Sequence, residues 1–133
     1  MPAEIAWRWL TEPALATKWL AERVDGDFAM GGRIELSSRD MDGGSLQESG
    51  EVVAFRPAQR CVLHFRRSHR NWDSLTKVTL EIFPRGSSCE VSVFHEGFEY
   101  LSLSECLTFW EFYRRRWRSA LTRLAAATSA VNG

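Results

Sequence analysis

The sequence predicts an α+β domain in which a curved antiparallel β-sheet wraps around a long C-terminal helix, with two short helices ahead of the sheet. Three observations predict it. Hydrophobic periodicity is helical up to Leu20, alternates between Phe28 and Phe98, and is helical again from Leu103 to Ala127. The alternating segments are joined by short, turn-rich stretches, which suit antiparallel neighbours and leave no room for the crossovers that parallel strands need. Finally, 133 residues, 44% of them hydrophobic, suffice for one core; no Pro/Gly/Ser-rich linker and no internal repeat divides them, so residues 1–133 read as a single domain.

In chain order, Ala3 to Leu10 forms the first helix, with Ile5, Trp9 and Leu10 as a partial stripe. Thr11-Glu12-Pro13 ends it, and Pro13 opens a second helix running from Ala14 to Leu20, since a proline at the first helical position loses no hydrogen bond. Five strands follow: Phe28–Ser37, Gly50–Phe55, Cys61–Arg67, Lys77–Phe83 and Cys89–His95. Gly31-Gly32 inside the first suggests a bulge or bend that helps the sheet to curl. The sets Ile34 and Leu36; Val53 and Phe55; Cys61, Leu63 and Phe65; Val78, Leu80 and Ile82; and Val91 and Val93 each share a face, which should meet the last helix.

That helix carries a contradiction. Its apolar stripe of Leu103, Leu107, Trp110, Trp117, Leu121 and Leu124 is interrupted on the same face by Arg114, because a helix advances about 100° per residue. A cation inside a hydrophobic seam points to a partly wet cavity against the sheet.

Formal net charge is zero, 17 Lys plus Arg against 17 Asp plus Glu, so no global field draws the chain to nucleic acid or to an acidic membrane. No apolar run approaches the roughly 20 residues that cross a bilayer, and the N-terminus has no signal-like block, so a soluble cytoplasmic protein is expected. Cys61, Cys89 and Cys106 are odd in number and widely spaced, unlike a disulfide framework, and read as buried thiols.

The order of elements, with its local wording, resembles the START-like (SRPBCC) superfamily of helix-grip proteins, and within it the branch named after the activator of the Hsp90 ATPase. The residues carrying the resemblance are Trp7-Arg8-Trp9-Leu10-Thr11-Glu12-Pro13, Lys18-Trp19-Leu20, Met30-Gly31-Gly32-Arg33-Ile34 and Gly50-Glu51-Val52-Val53. They continue with Arg60-Cys61-Val62-Leu63, His95-Glu96-Gly97-Phe98 and the closing Arg116 to Leu124. The resemblance implies an elongated apolar cavity between sheet and long helix, in a family whose members commonly bind or transform small hydrophobic molecules. Two departures stand out. The family usually opens with a strand, whereas only Met1 and Pro2 precede the first helix; an edge left unpaired is a surface that a second subunit could cover, giving a homodimer. Arg116 also stands where relatives often carry glycine, which either alters the helix's close approach or marks a solvent-facing position.

Arg114, between Trp110 and Trp117, can stack on an indole and present its donors to a carboxylate or carbonyl, or it can merely cover apolar surface with its stem. Arg115, Arg116, Arg118 and Arg123 fall mostly on the outer face. His95 continues the alternation of Val91 and Val93 inward, as a wall residue or a proton relay. Glu51 shares parity with Val53 and Phe55, which would bring a carboxylate to the cavity mouth and into an ion pair with Arg114. No nucleophile motif such as G-x-S-x-G occurs, and no cofactor is called for. No metal is expected either: Cys61 and His64 face opposite sides of a strand, and Asp40, Asp42 and Glu51 mimic a calcium loop with Ser45 where glycine is needed. Arg66 to Trp72 reads as a basic loop with an exposed indole that could touch a partner or cover the cavity.

The expected function is therefore binding of a small hydrophobic molecule with one polar end. Phe65, Leu80, Val91 and Val93 form the floor, Trp110, Arg114 and Trp117 the roof, and His95 and Glu51 tune the polarity. Two alternatives use the same fold: a cyclase, lyase or hydrolase with His95 as acid or base, and a chaperone-associated interaction module acting through the sheet edge or Trp72.

Overall fold

Two prolines and one buried tryptophan organise the N-terminal region. Helix α1 (Ala3–Thr11) starts on the Pro2 carbonyl, which accepts from the Ile5 and Ala6 amides, and it buries Ala6, Trp9 and Leu10 on one face. Glu12 is extended, as a residue before proline must be, and Pro13 opens the single turn of α2 (Pro13–Ala16). The second helix thus stops short of the expected Leu20. Residues 17–20 form turns instead, and Trp19, fully buried, donates its indole N–H to the Trp9 carbonyl at 2.8 Å. The computed structural model describes residues 1–39, 44–67, 72, 75–101 and 103–132, without the side chains of 103–105 and 130–132.

The sheet is a sequential antiparallel meander of six strands among the described residues: β1 (Arg23–Gly26), β2 (Arg33–Arg39), β3 (Ser45–Arg56), β4 (Arg60–Arg67), β5 (Thr76–Arg85) and β6 (Ser88–Glu96). Strand β1 adds a sixth strand to the five expected; it is four residues long and buries only Val24, too little pattern for alternation to register. The strand expected to start at Phe28 starts at Arg33. A Cβ on Gly32 would lie 2.0 Å from the Asp27 carbonyl oxygen, so the Gly31-Gly32 pair closes a loop rather than bending a strand. That loop is tied to β3 by the Gly31 amide on the Val52 carbonyl and the Val52 amide on the Gly32 carbonyl. Strand β3 begins five residues before the expected Gly50, because its first half is polar in sequence although Leu46 and Glu48 are buried.

A bulge in β3 decides which carboxylate faces inward. Val52 pairs with Leu63 and Ala54 with Val62, so Val53 is the extra residue and inward parity switches there from even to odd numbers. Glu48 and Val52 point to the core with Leu63 and Phe65, whereas Glu51 is exposed on the outer face, beside His64. The other expected inward sets hold: Ile34, Leu36, Cys61, Val78, Leu80 and Ile82 are all buried in one core cluster.

Helix α3 (Leu103–Asn132) runs five residues past the expected end and is rotated from the expected face. It buries Phe109, Tyr113, Trp117, Ala120 and Leu124, while Leu107, Trp110 and Arg114 are exposed. At about 100° per residue the seam is displaced by roughly 70°. The cation in that seam is Arg116, not Arg114. Its Nε donates to both Glu48 oxygens at 3.0 and 3.2 Å, its Nη2 donates to Glu48 Oε1, and its Nη1 donates to the Leu20 carbonyl at 2.9 Å. Side-chain exposure is 8% for Arg116 and 0% for Glu48, and Ala120, with no bulk, sits one turn further along the same face. Among the described residues no helix is long and apolar enough to cross a membrane.

Removing one partner of a buried pair strands the other charge. Arg116→Ala should therefore cost about 3–5 kcal/mol in urea unfolding, while Glu48→Leu with Arg116→Met should recover most of that loss. A single variant as stable as the wild type would contradict the clamp.

Candidate ligand-binding cleft

Between the inner face of β6 and the exposed flank of α3 lies a cleft of about 370 Å³, open on one side. Strand β6 contributes Val93 and His95. Gly97 then turns the chain with φ +100°, where a Cβ would press within 3.2 Å of Thr76 Cα, and places Phe98 at the cleft's end. Helix α3 supplies Trp110, Tyr113 and Trp117, with Leu121 one turn beyond and Arg114 and Arg118 at the mouth. The Arg114 guanidinium lies over the Trp110 ring, 5.2 Å from its centroid.

The chemistry of His95 follows from its bonds. Thr76 Oγ1 donates its single proton to the Phe65 carbonyl at 2.8 Å, so at 2.7 Å it must accept from His95 Nε2–H. The Trp117 indole N–H donates to His95 Nδ1 at 3.0 Å, which is therefore unprotonated. The ring is a neutral imidazole with both nitrogens committed. Rings of Phe98, Tyr113, Phe65 and Trp117 surround it, with centroids 4.4 to 5.9 Å away. Burial, and secondarily the Arg116 charge, lower its pKa to about 3.

The family model described as Activator of Hsp90 ATPase homolog 1-like protein matches residues 1–129. The chain belongs to this family. A comparison with curated proteins gives no match. Among solved structures, protein Ms6760 from Mycobacterium smegmatis superposes with a TM-score of 0.80 at 15% identity, covering 98% of this chain and 85% of that one. Protein CV1439 from Chromobacterium violaceum gives 0.71 at 20%, covering 95% and 88%. DynU16, from the dynemicin biosynthetic locus, gives 0.75 at 16%, covering 97% of this chain and 44% of its own. At these identities the likeness concerns the fold, the helix-grip arrangement that the sequence resemblance implied.

Five of the nine expected site residues meet at one cleft: Trp110, Arg114, Trp117, His95 and Val93. Phe65 stands behind it in the core, edge-on to His95 and Tyr113. Leu80 is buried opposite Val93 in register, and Val91 is half-buried two residues earlier on β6; neither lines the cleft. Glu51, across the sheet from α3, cannot pair with Arg114, and Glu48 with Arg116 makes the buried pair instead. Tyr113 and Phe98 were missed, although Tyr113 sits four residues from both Phe109 and Trp117 and completes their stripe.

Trp72, expected to be exposed, is buried against Phe109 with centroids 4.7 Å apart; the adjoining Ser68 to Asn71, like Asp40 and Asp42 of the calcium-like spacing, lie outside the described residues. No group of three His, Cys, Asp or Glu residues able to hold a metal occurs among the described residues. Cys61 is fully buried, which pushes its thiol pKa up to about 12 and leaves it inert, while Cys89 and Cys106 are only partly buried.

A histidine held neutral in the native state stabilises it fully above the ordinary pKa of about 6.5, and that contribution is lost as pH falls from there towards 3. Urea unfolding of wild type and His95→Gln at pH 7.5 and 5 should show the wild-type advantage shrinking by up to about 2 kcal/mol at the lower pH. An advantage independent of pH would contradict the neutral, bonded imidazole.

Proposed function

We propose that this protein binds a small, largely aromatic or apolar molecule bearing one acidic end, in the cleft between β6 and α3. The observation that carries the proposal is the division of the cleft. Its walls are Val93, Phe98, Trp110, Tyr113, Trp117 and Leu121, and among the described residues its charges are Arg114 and Arg118 at the mouth. Neither arginine has a carboxylate partner among the described residues, and Arg114 is preorganised by stacking on Trp110. About 370 Å³ suits a one- or two-ring molecule. Covering roughly 150 Å² of apolar surface gains on the order of 4 kcal/mol, and a charge-assisted hydrogen bond at the mouth adds about 1.5–3 kcal/mol.

His95 fits a wall residue better than an acid or base. Proton transfer through it would first require breaking the bond to Trp117 or to Thr76.

Thermal melting across a set of hydrophobic carboxylic acids and their amides tests the reading. Aromatic acids should raise the midpoint, Arg114→Ala with Arg118→Ala should weaken the acids about tenfold while sparing the amides, and Trp110→Ala should weaken both. A set that shifts nothing, or shifts that ignore all three substitutions, would overturn it.

A further inference from the structure

The run Arg114-Arg115-Arg116-Trp117-Arg118 is split by the helix: Arg114 and Arg118 flank the cleft described above, while Arg115 and Arg116 turn to the opposite side. There, between α3 and the paired ends of β2 and β3, lies a separate cleft of about 200 Å³. Leu46, Phe112 and the pinned Arg116 line it together with Arg39, Arg115 and Arg123. We propose that this cleft binds the phosphate or diphosphate group of a small soluble molecule.

Four guanidiniums converge on a space too small for the body of a drug-sized ligand but adequate for a compact anion. Arg116 is held fixed by Glu48 and the Leu20 carbonyl, so with its charge balanced by Glu48 it forms a rigid floor on which the forks of Arg39, Arg115 and Arg123 stand. Arg123 is oriented by its Nε–H on the Trp19 carbonyl at 3.1 Å, which leaves its four terminal N–H groups without a hydrogen-bond partner among the described residues. Burial and the nearby Arg116 charge lower its pKa, as crowding of like charges would.

Among the described residues three carboxylates answer these four cations, and of these Glu48 alone does so through hydrogen bonds. Glu22 stands 3.9 Å from Arg39 and Glu111 3.8 Å from Arg115, both in exposed pairs that an entering anion can displace. Ser38 adds a hydroxyl donor to the same wall. Several separate forks around one point favour a dianion with oxygens on all sides over a planar monoanionic carboxylate.

The test is thermal melting with pyrophosphate against sodium chloride at equal ionic strength. Wild type should rise by several degrees in 10 mM pyrophosphate beyond the chloride control, and Arg39→Gln with Arg115→Gln should lose most of that rise. These two side chains are exposed, so the variant should fold normally. Arg56→Gln with Arg85→Gln removes the same charge elsewhere and should keep the rise. A rise no greater than chloride's, or equal in all three proteins, overturns the assignment. Flotation with phosphatidate vesicles separates a soluble ester from a lipid headgroup: no flotation is expected, and flotation lost with Arg39 and Arg115 overturns the soluble assignment. Neither residue lines the cleft beside β6, so this outcome is independent of the hydrophobic-acid reading.

Discussion

The buried contact between Arg116 and Glu48 sets the rotation of the long helix, and most of the molecule's chemistry follows from that rotation. A guanidinium and a carboxylate removed from water are tolerated only when nearly all their hydrogen-bonding capacity is used. Here the sheet offers both Glu48 oxygens, and the turn after α2 offers the Leu20 carbonyl, so three parts of the chain meet at one side chain. With Arg116 turned inward, Trp117 is carried to the core side, where its indole N–H reaches His95. The flank bearing Trp110 and Arg114 is left beside the edge strand β6.

Two electrostatic solutions therefore sit on either side of α3. Towards β6 the charges among the described residues stay at the rim, on Arg114 and Arg118: His95 is neutral because both of its nitrogens are committed and its surroundings are aromatic. Towards β2 and β3 the helix concentrates cations around a single well-bonded carboxylate. One five-residue segment supplies both, because consecutive helical residues diverge by about 100°.

What could be read from the sequence was the part governed by simple periodicity. The inward sets of β4 and β5 and the meander from β2 to β6 follow from alternation and turn chemistry, and the family resemblance from local wording. Alternation counted back from Phe55 points Glu51 inward, but one extra residue, Val53, reverses parity, and a bulge leaves no signal in a run of Val-Val-Ala. Hydrophobicity favours Leu107 and Trp110, and with them an inward Arg114, over the Tyr113 and Ala120 that are buried. The cost of burying Arg116 argues against its true position unless its partner Glu48, 68 residues away in sequence, is known. Five of nine site residues still share one cleft, since Trp117 belongs to both faces and Trp110 and Arg114 border the opening instead of the core.

The rotation of α3 can be observed directly by hydrogen exchange of arginine Nε–H groups in NMR spectra at neutral pH. A buried, bonded guanidinium exchanges slowly, whereas an exposed one exchanges within the dead time. The account predicts a strongly protected Nε–H that disappears in Arg116→Lys and persists in Arg114→Lys. Protection that disappears with Arg114 instead, or no protected arginine at all, would contradict it.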